Sequence, residues 1–175
     1  MDDIIRPSKL AHIVLRTARF DEVVAWWSTV LGATPRHESP FITFLSYDDE
    51  HHRLAIINNP SLEENDKRQA GFEHVAFTYD TLDDLLATYT RLKAVGIVPA
   101  WPVHHGMTMS LYYADPDGTQ VELQVDVMDE PTAAAFMASD VFAANPIGVP
   151  LDPDELIARR DAGEPLESLT EYVPA

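Results

Sequence analysis

The stretch Ala11-His12-Ile13-Val14-Leu15 returns as Glu73-His74-Val75-Ala76-Phe77, with a histidine in the same place at positions 12 and 74. Both stretches are short and mostly apolar, which is typical of buried β-strands. A repeat of about 62 residues indicates two copies of one structural unit, and it is the feature that decides the fold. The segments that follow the two histidines should therefore correspond as well.

A helix follows each of the two strands. Apolar residues at helical spacing predict the first helix over about residues 20–31, and Gly32 stands where a left-handed residue would end it. In the second copy Thr81 and Asp84 have the spacing of a capping box, and Gly96 ends the helix. The apolar faces consist of Phe20, Val23, Val24, Trp27 and Leu31 in the first helix and of Leu85, Leu86, Tyr89 and Leu92 in the second.

Strand-like segments complete each copy, at about 41–47 and 53–58 in the first and at about 97–101, 110–114 and 120–125 in the second. Between the last two, Asp115-Pro116-Asp117-Gly118 predicts a hairpin turn, because proline fixes an early turn residue and glycine accepts a positive φ. Both copies therefore read β-α-β-β-(β), with the last strand found only in the second copy, and the sequence predicts an α+β fold with two tandem βαβββ modules.

The predicted modules occupy residues 1–127, with the copies at about 9–60 and 71–127 and a polar linker at 60–71. Residues 128–175 are predicted to form a partly helical C-terminal extension, with helices at about 131–138 and 152–162. The extension either packs on the modules or contacts a partner subunit. We expect a homodimer or a higher homo-oligomer.

The composition limits the classes of function. The 175 residues include no cysteine, which excludes disulfides and cysteine nucleophiles and leaves imidazole and carboxylate as metal ligands. Twelve basic and 29 acidic residues give a net charge of −17, which repels nucleic acid and anionic membranes and favours a neutral or weakly acidic small molecule. No apolar run is long enough to span a bilayer and the N-terminus is acidic, so a cytoplasmic location is expected.

Three residues are candidate metal ligands. His12 and His74 are equivalent in the repeat, so pseudo-twofold packing of the copies would bring both imidazoles to one point. Glu122 is a lone carboxylate in the apolar strand at 120–125, where alternation turns it away from its apolar neighbours. Two imidazoles and one carboxylate form the triad that suits Fe(II) and leaves coordination positions open. A single histidine at a strand start is more often structural, and Glu122 alone could be an exposed strand residue.

Further motifs carry a resemblance to a known family. They are His51-His52-Arg53-Leu54-Ala55-Ile56, Glu73-His74-Val75-Ala76-Phe77, His104-His105-Gly106, Tyr112-Tyr113-Ala114-Asp115-Pro116-Asp117-Gly118 and Val121-Glu122-Leu123. Over about residues 9–127 the chain resembles the vicinal oxygen chelate superfamily, which includes glyoxalases, bleomycin resistance proteins and dioxygenases. Within that superfamily it resembles the one-domain type I extradiol catechol dioxygenases, because generic glyoxalase-like sequences do not normally share the paired His51-His52 or the His105-Gly106 element.

The resemblance implies a half-open mixed β-barrel around a metal site whose ligands are His12, His74 and Glu122. The metal would be Fe(II), with Mn(II) as the alternative, and the substrates would be a catechol and O2. The resemblance also places His52, His105 and Tyr112 around the open coordination positions. His105 would shuttle a proton, Tyr112 would hydrogen-bond a substrate oxygen, and His52 would stabilise charge that develops on dioxygen. The ring would open next to the two hydroxyls rather than between them.

Other functions stay open at this point. A glyoxalase-like lyase or isomerase usually needs a fourth protein ligand, a carboxylate from the first module, and the strand at 53–57 offers none. A metal-free protein that binds a drug has no need of the three ligands, and a purely structural module would not explain histidines placed by a repeat.

For the residues next to the candidate site residues, the sequence predicts mainly orientation or a structural role. Alternation predicts that His51 points away from His52 and that Tyr113 points away from Tyr112. His104 is the less favoured alternative to His105 for proton transfer, and His37 has no assigned role. The tryptophans at 26, 27 and 101 are assigned to core or subunit contacts.

Overall fold

A computed structural model describes residues 4–63 and 70–174 of the chain. The first module contains β1 (Ile13–Thr17), α1 (Phe20–Leu31), β2 (Thr34–Glu38), β3 (Ile42–Ser46) and β4 (Leu54–Asn58). The second contains β5 (His74–Tyr79), α2 (Leu82–Lys93), β6 (Trp101–His104), β7 (Thr108–Ala114) and β8 (Gln120–Asp126). The extension contains α3 (Glu130–Met137), α4 (Asp140–Ala144), β9 (Val149–Pro150), α5 (Pro153–Asp161) and α6 (Leu166–Leu169).

The two modules have the same topology. Their sheets have the strand orders β1-β4-β3-β2 and β5-β8-β7-β6-β9, so the first strand of each module pairs with the last. That pairing is parallel in both modules, and the other pairs are antiparallel. Each sheet is therefore mixed, and the prediction of an α+β fold with two βαβββ modules is confirmed.

Two strands differ from the prediction. β2 was not predicted, because all five of its residues are exposed and the segment has no alternation of apolar and polar residues. The strand expected at 97–101 forms instead as β6 at Trp101–His104. The apolar residues Ile97 and Val98 that suggested the earlier start lie in an unpaired connection, where Val98 is 59% exposed.

The helices begin and end as their sequence signals predict. α1 ends before Gly32, whose φ of 62° is left-handed, and it buries Val23, Trp27 and Val30. Thr81 caps α2 by accepting a hydrogen bond from the Asp84 amide at 3.1 Å. Both helices cover the apolar face of their sheet, which leaves the other face of each sheet for functional side chains.

The described residues form two compact units. The first consists of the described residues of Met1–Ala70 together with Asp115–Gly118, and the second of Gly71–Ala114 and the described residues of Thr119–Ala175. The turn Asp115–Gly118 belongs to the first unit because the indole NH of buried Trp27 donates to Asp115 Oδ2 at 3.0 Å. Part of the linker predicted at 60–71, namely residues 64–69, lies outside the described residues.

The C-terminal extension belongs to the second unit. Its strand β9 pairs antiparallel with β6 at the edge of the second sheet. Ion pairs join α5 to both ends of α2, with Arg160 2.7 Å from Asp83 and Lys93 2.6 Å from Asp154. Within the described part of the chain, no helix has the length and apolar character needed to cross a membrane.

Candidate active site

His74 and Glu122 come together on the open face of the second sheet. They lie on the neighbouring parallel strands β5 and β8, whose register pairs His74 with Gln120 and Ala76 with Glu122. Side chains two residues apart share one face of a strand, so Glu122 reaches back towards His74. Their Nε2 and Oε2 atoms are 3.1 Å apart. Glu122 is only 5% exposed, so it is a buried carboxylate beside an imidazole and not an ordinary surface residue.

Tyr112 on the next strand lies beside His74 and Glu122, so the three side chains form a row across the open face of the second sheet. β7 and β8 pair Tyr112 with Glu122, and the ring of Tyr112 lies edge-on to that of His74 at 5.3 Å. Burial, together with the charge of Glu122, raises the pKa of Tyr112 well above its ordinary value. The hydroxyl therefore keeps its proton and can act as a hydrogen-bond donor. Tyr113 points to the opposite face of the sheet, where it is buried, as alternation predicts.

His105 is held at both ring nitrogens. Its Nδ1 lies 2.6 Å from the carbonyl oxygen of Ile147, which can only accept, so Nδ1 carries the proton. In the neutral ring Nε2 then accepts from the hydroxyl of Tyr112 at 3.1 Å. The same Nε2 is 4.0 Å from Glu122 Oε1. His105 therefore presents a proton-accepting nitrogen to the row formed by His74, Glu122 and Tyr112.

His104 has a structural role. Its Nδ1 accepts from the Gly106 amide at 3.1 Å, and its Nε2 donates to the carbonyl of Thr170 at 3.1 Å. Only the neutral ring with a proton on Nε2 satisfies both bonds. Burial accordingly lowers the pKa of His104 below its ordinary value. Of the two adjacent histidines, only His105 faces Tyr112 and Glu122.

Trp101 lies beside the same group of side chains. It pairs with Tyr112 in the β6–β7 register and stacks on that ring with centroids 4.8 Å apart. It also lies edge-on to His105 at 5.8 Å, yet 40% of the residue is exposed. From the sequence, Trp101 was predicted to take part in core or subunit contacts. The cross-strand register that brings it beside Tyr112 is the signal that could have identified it.

The first module brings together a second histidine group. The rings of His12 and His52 have centroids 4.3 Å apart, and Phe44 packs against His52 at 4.7 Å. Burial and the neighbouring His12 and His51 lower the pKa of His52. Arg53 fixes the approach to His12, because its guanidinium donates to the carbonyls of residues 10 and 11 at 2.9 and 3.1 Å.

The expectation that His51 points away from His52 is wrong. Their Nδ1 atoms are 2.6 Å apart, within hydrogen-bond distance, and their ring centroids are 4.5 Å apart. Alternation does not apply, because both residues precede β4 in a turn rather than lying in the strand.

Comparisons with known proteins agree with this architecture. The sequence model of the Glyoxalase/Bleomycin resistance protein/Dioxygenase superfamily matches residues 9–123. The chain belongs to this superfamily. Biphenyl-2,3-diol 1,2-dioxygenase 2 of Rhodococcus globerulus is 43% identical over 94% of this chain and 87% of its own length. Biphenyl-2,3-diol 1,2-dioxygenase 3 of the same organism is 41% identical over 93% of this chain and 87% of its own length.

The solved structures support the fold. A glyoxalase/dioxygenase from Nostoc punctiforme superposes with a TM-score of 0.58 over 73% of this chain and 99% of its own, at 21% identity. The two Rhodococcus relatives confirm the predicted resemblance to extradiol dioxygenases within the superfamily.

The separation of His74 and Glu122 on the second sheet fits two ligands of one metal ion. Two ligand atoms at right angles on one cation, with bonds of about 2.1 Å, lie about 3.0 Å apart. The 3.1 Å between His74 Nε2 and Glu122 Oε2 matches that separation. Within either unit, the described residues contain no group of three or more His, Asp or Glu side chains with the geometry of a metal site. His74 and Glu122, two of the three predicted ligands, therefore lie together on the second sheet, and His12 lies in the histidine group of the first module.

Proposed function

We propose that this chain, an extradiol dioxygenase by its resemblance to the two Rhodococcus enzymes, cleaves a catechol with Fe(II) and O2. His12, His74 and Glu122 would bind the iron, and Mn(II) would suit the same nitrogen and oxygen donors. The observation that carries the proposal is the row on the second sheet, where a histidine–carboxylate pair adjoins the hydrogen-bonded pair of Tyr112 and His105.

The donor set decides which metal chemistry is available. Bound Fe(II) would act as a Lewis acid. Because two imidazoles and one carboxylate occupy only three coordination positions, the remaining positions would stay open for substrate and O2. His12 supports this set by its equivalence to His74. It immediately precedes β1 as His74 begins β5, and each of these strands pairs in parallel with the last strand of its module.

The hydrogen bonds around the donors support the proton transfers that catechol cleavage needs. A catechol must lose a proton before it reacts, and Nε2 of His105 is the nitrogen with an available lone pair. The hydroxyl of Tyr112 keeps its own proton, so it can donate a hydrogen bond to a substrate oxygen in place of His105. His52, which lies against His51 and Phe44, would stabilise charge that develops on dioxygen.

The substrate should be a neutral or weakly acidic aromatic molecule. The net charge of −17 disfavours a polyanion, and the exposed indole of Trp101 beside Tyr112 offers an aromatic surface to a planar ring. In the overall reaction both oxygen atoms of O2 enter the product. The carbon–carbon bond next to the diol breaks, and a ring-opened hydroxymuconic semialdehyde type of compound forms.

Aerobic turnover of iron-loaded protein tests the proposal. Protein reconstituted with Fe(II) without air, then given 2,3-dihydroxybiphenyl or catechol in aerated buffer, should form a yellow product and consume one O2 per substrate. Absence of colour and of O2 uptake across one-ring and two-ring catechols, with stoichiometric iron, would refute it. Zinc- or nickel-loaded protein that isomerises a hemithioacetal would favour a glyoxalase-like lyase instead.

His105 separates proton transfer from iron binding. The variant His105→Ala should retain its iron and lose about 10²- to 10⁴-fold in kcat, the range expected for removal of a general base. The matched control is His37→Ala, because His37 lies on exposed β2 and has no place in the proposed reaction. Full activity of the His105 variant would contradict its role.

A further inference from the structure

We infer that a turn in the C-terminal extension, residues 145–148, is a positioning element for His105. This inference rests on the proposed function, because it explains how His105 comes to present its Nε2 lone pair to the substrate. Ile147 of this turn, called the Asn145 turn below, is 42 positions along the chain from His105. No motif in the sequence marks it.

The Asn145 turn is closed by its own side chain. Asn145 Nδ2 donates to the Gly148 carbonyl at 2.7 Å, and the Gly148 amide donates back to Asn145 Oδ1 at 3.1 Å. Immediately after the turn, Val149 of β9 pairs with His104 of β6. The turn is therefore fixed by a two-bond side-chain clamp within it and by a strand pair after it. Between these two attachments the carbonyl of Ile147 points at His105.

Glycine is required for the turn to lie this close to His105. Gly148 has a φ of 97°, which L side chains rarely adopt. A Cβ atom on Gly148 would lie 2.2 Å from the backbone oxygen of His104. The backbone of the extension thus touches the backbone beside His105, and this close approach brings Ile147 O within 2.6 Å of Nδ1.

A backbone carbonyl at Nδ1 selects one tautomer of the imidazole. Neutral histidine can carry its proton on either nitrogen, and the hydrogen bond at one nitrogen decides the state of the other. Ile147 O accepts only, so it holds the proton on Nδ1 and leaves Nε2 as the acceptor that faces Tyr112. Without this bond the ring could carry its proton on Nε2 instead. Nε2 would then have no lone pair with which to accept a proton from a substrate. The Asn145 turn thereby determines which way His105 can move a proton.

The tautomer can be observed directly. In metal-free full-length protein labelled with ¹⁵N-histidine, at about pH 9 where free imidazoles are neutral, His105 should show a protonated Nδ1. The adjacent His104 is an internal reference, because its bonds require the opposite tautomer with a protonated Nε2. The variant Asn145→Ala removes both clamp bonds and should shift the ¹⁵N signals of His105 towards a mixture of tautomers, while those of His104 stay.

The kinetic consequence should fall on turnover. Iron-loaded Asn145→Ala should lose about tenfold or more in kcat, the scale on which loss of a partner that orients a functional imidazole is felt. Its KM and iron content should stay within about twofold of the wild type. The matched control is Ser139→Ala, which removes another capping side chain of the extension, one that accepts from Phe142 and not from the turn. It should leave both the tautomer and kcat unchanged.

A second variant guards against loss of the fold. Asn145→Asp keeps the acceptor for the Gly148 amide but replaces the donor by a carboxylate oxygen that faces the Gly148 carbonyl, so it should shift the His105 signals in the same direction. Unchanged His105 signals in folded Asn145→Ala, or a changed tautomer with wild-type kcat, would overturn the inference. Wild-type protein that turns over no catechol would refute the dioxygenase proposal, and the tautomer measurement would still report on the turn.

Discussion

Replacement of Tyr112 by phenylalanine removes one hydroxyl from the centre of the proposed site. That hydroxyl is within 3.1 Å of His105 Nε2, and the residue is 7% exposed. The ring itself stays stacked on Trp101, so the change removes a hydrogen bond without removing an aromatic contact. It therefore tests whether the hydroxyl acts in the reaction or only in packing.

The expected effect on turnover exceeds the effect on stability. Loss of one neutral hydrogen bond costs about 0.5–1.5 kcal/mol of folding free energy. A donor that stabilises charge developing on a substrate oxygen is worth about 10²- to 10³-fold in kcat. Because burial and Glu122 raise the pKa of Tyr112, the hydroxyl stays protonated at neutral pH and the whole donor effect is available to be lost.

Tyr113→Phe is the matched control. Tyr113 is the next residue on β7, faces the other side of the sheet, and has the one buried side-chain polar atom without a hydrogen-bond partner in the described chain. Since an unpaired buried hydroxyl is unfavourable, this variant should gain about 1 kcal/mol of stability, or about 2–4 °C in Tm, and keep its activity. Steady-state kinetics with a saturating catechol and thermal unfolding measure both effects. Equal kcat for the two variants would refute the role given to Tyr112.

Three further changes test other parts of the structure. Glu122→Ala should lower iron affinity at least about tenfold, as measured by metal analysis after dialysis, and full occupancy would refute its ligand role. Burial lowers the pKa of His104 in the folded protein, so the unfolded state binds more protons below about pH 6.5 and wild-type stability falls as the pH drops through that range. Urea unfolding at pH 7.5 and 5.5 should show a smaller acid loss for His104→Gln than for wild type, and equal losses would contradict this cause. Trp27→Phe should cost about 1.5–3 kcal/mol in urea unfolding, because buried Asp115 loses the indole donor, whereas a change below about 0.5 kcal/mol would show that this bond does not hold the turn.

Much of the fold follows from patterns that are local in the sequence. The histidine-centred repeat revealed two modules, and the period of apolar residues predicted α1 with the bounds that the structure shows. Capping at Thr81 and the left-handed Gly32 depend on a few neighbouring residues, which is why they can be read directly. β2 was not predicted, because an exposed strand of polar residues forms by pairing with β3 and has no apolar pattern of its own.

The candidate site was only partly predictable, because some of its contacts join distant segments. Alternation singled out Glu122 in its strand, but its position beside His74 depends on the parallel pairing of β5 and β8, which the sequence did not predict. The bond from His105 to Ile147 depends on the path of an extension without periodic structure. The position of Trp101 depends on the register of β6 against β7. Because the strand was predicted to begin at residue 97, four residues before β6 begins, this register was not predicted.

Turnover under ¹⁸O-labelled dioxygen tests the central claim most directly. Iron-loaded protein given a catechol should yield a ring-opened semialdehyde acid that carries both labelled oxygen atoms, one in each new carbonyl-containing group, with the bond next to the diol broken. A colourless diacid formed by cleavage between the hydroxyls, or a product that contains no label, would contradict the account.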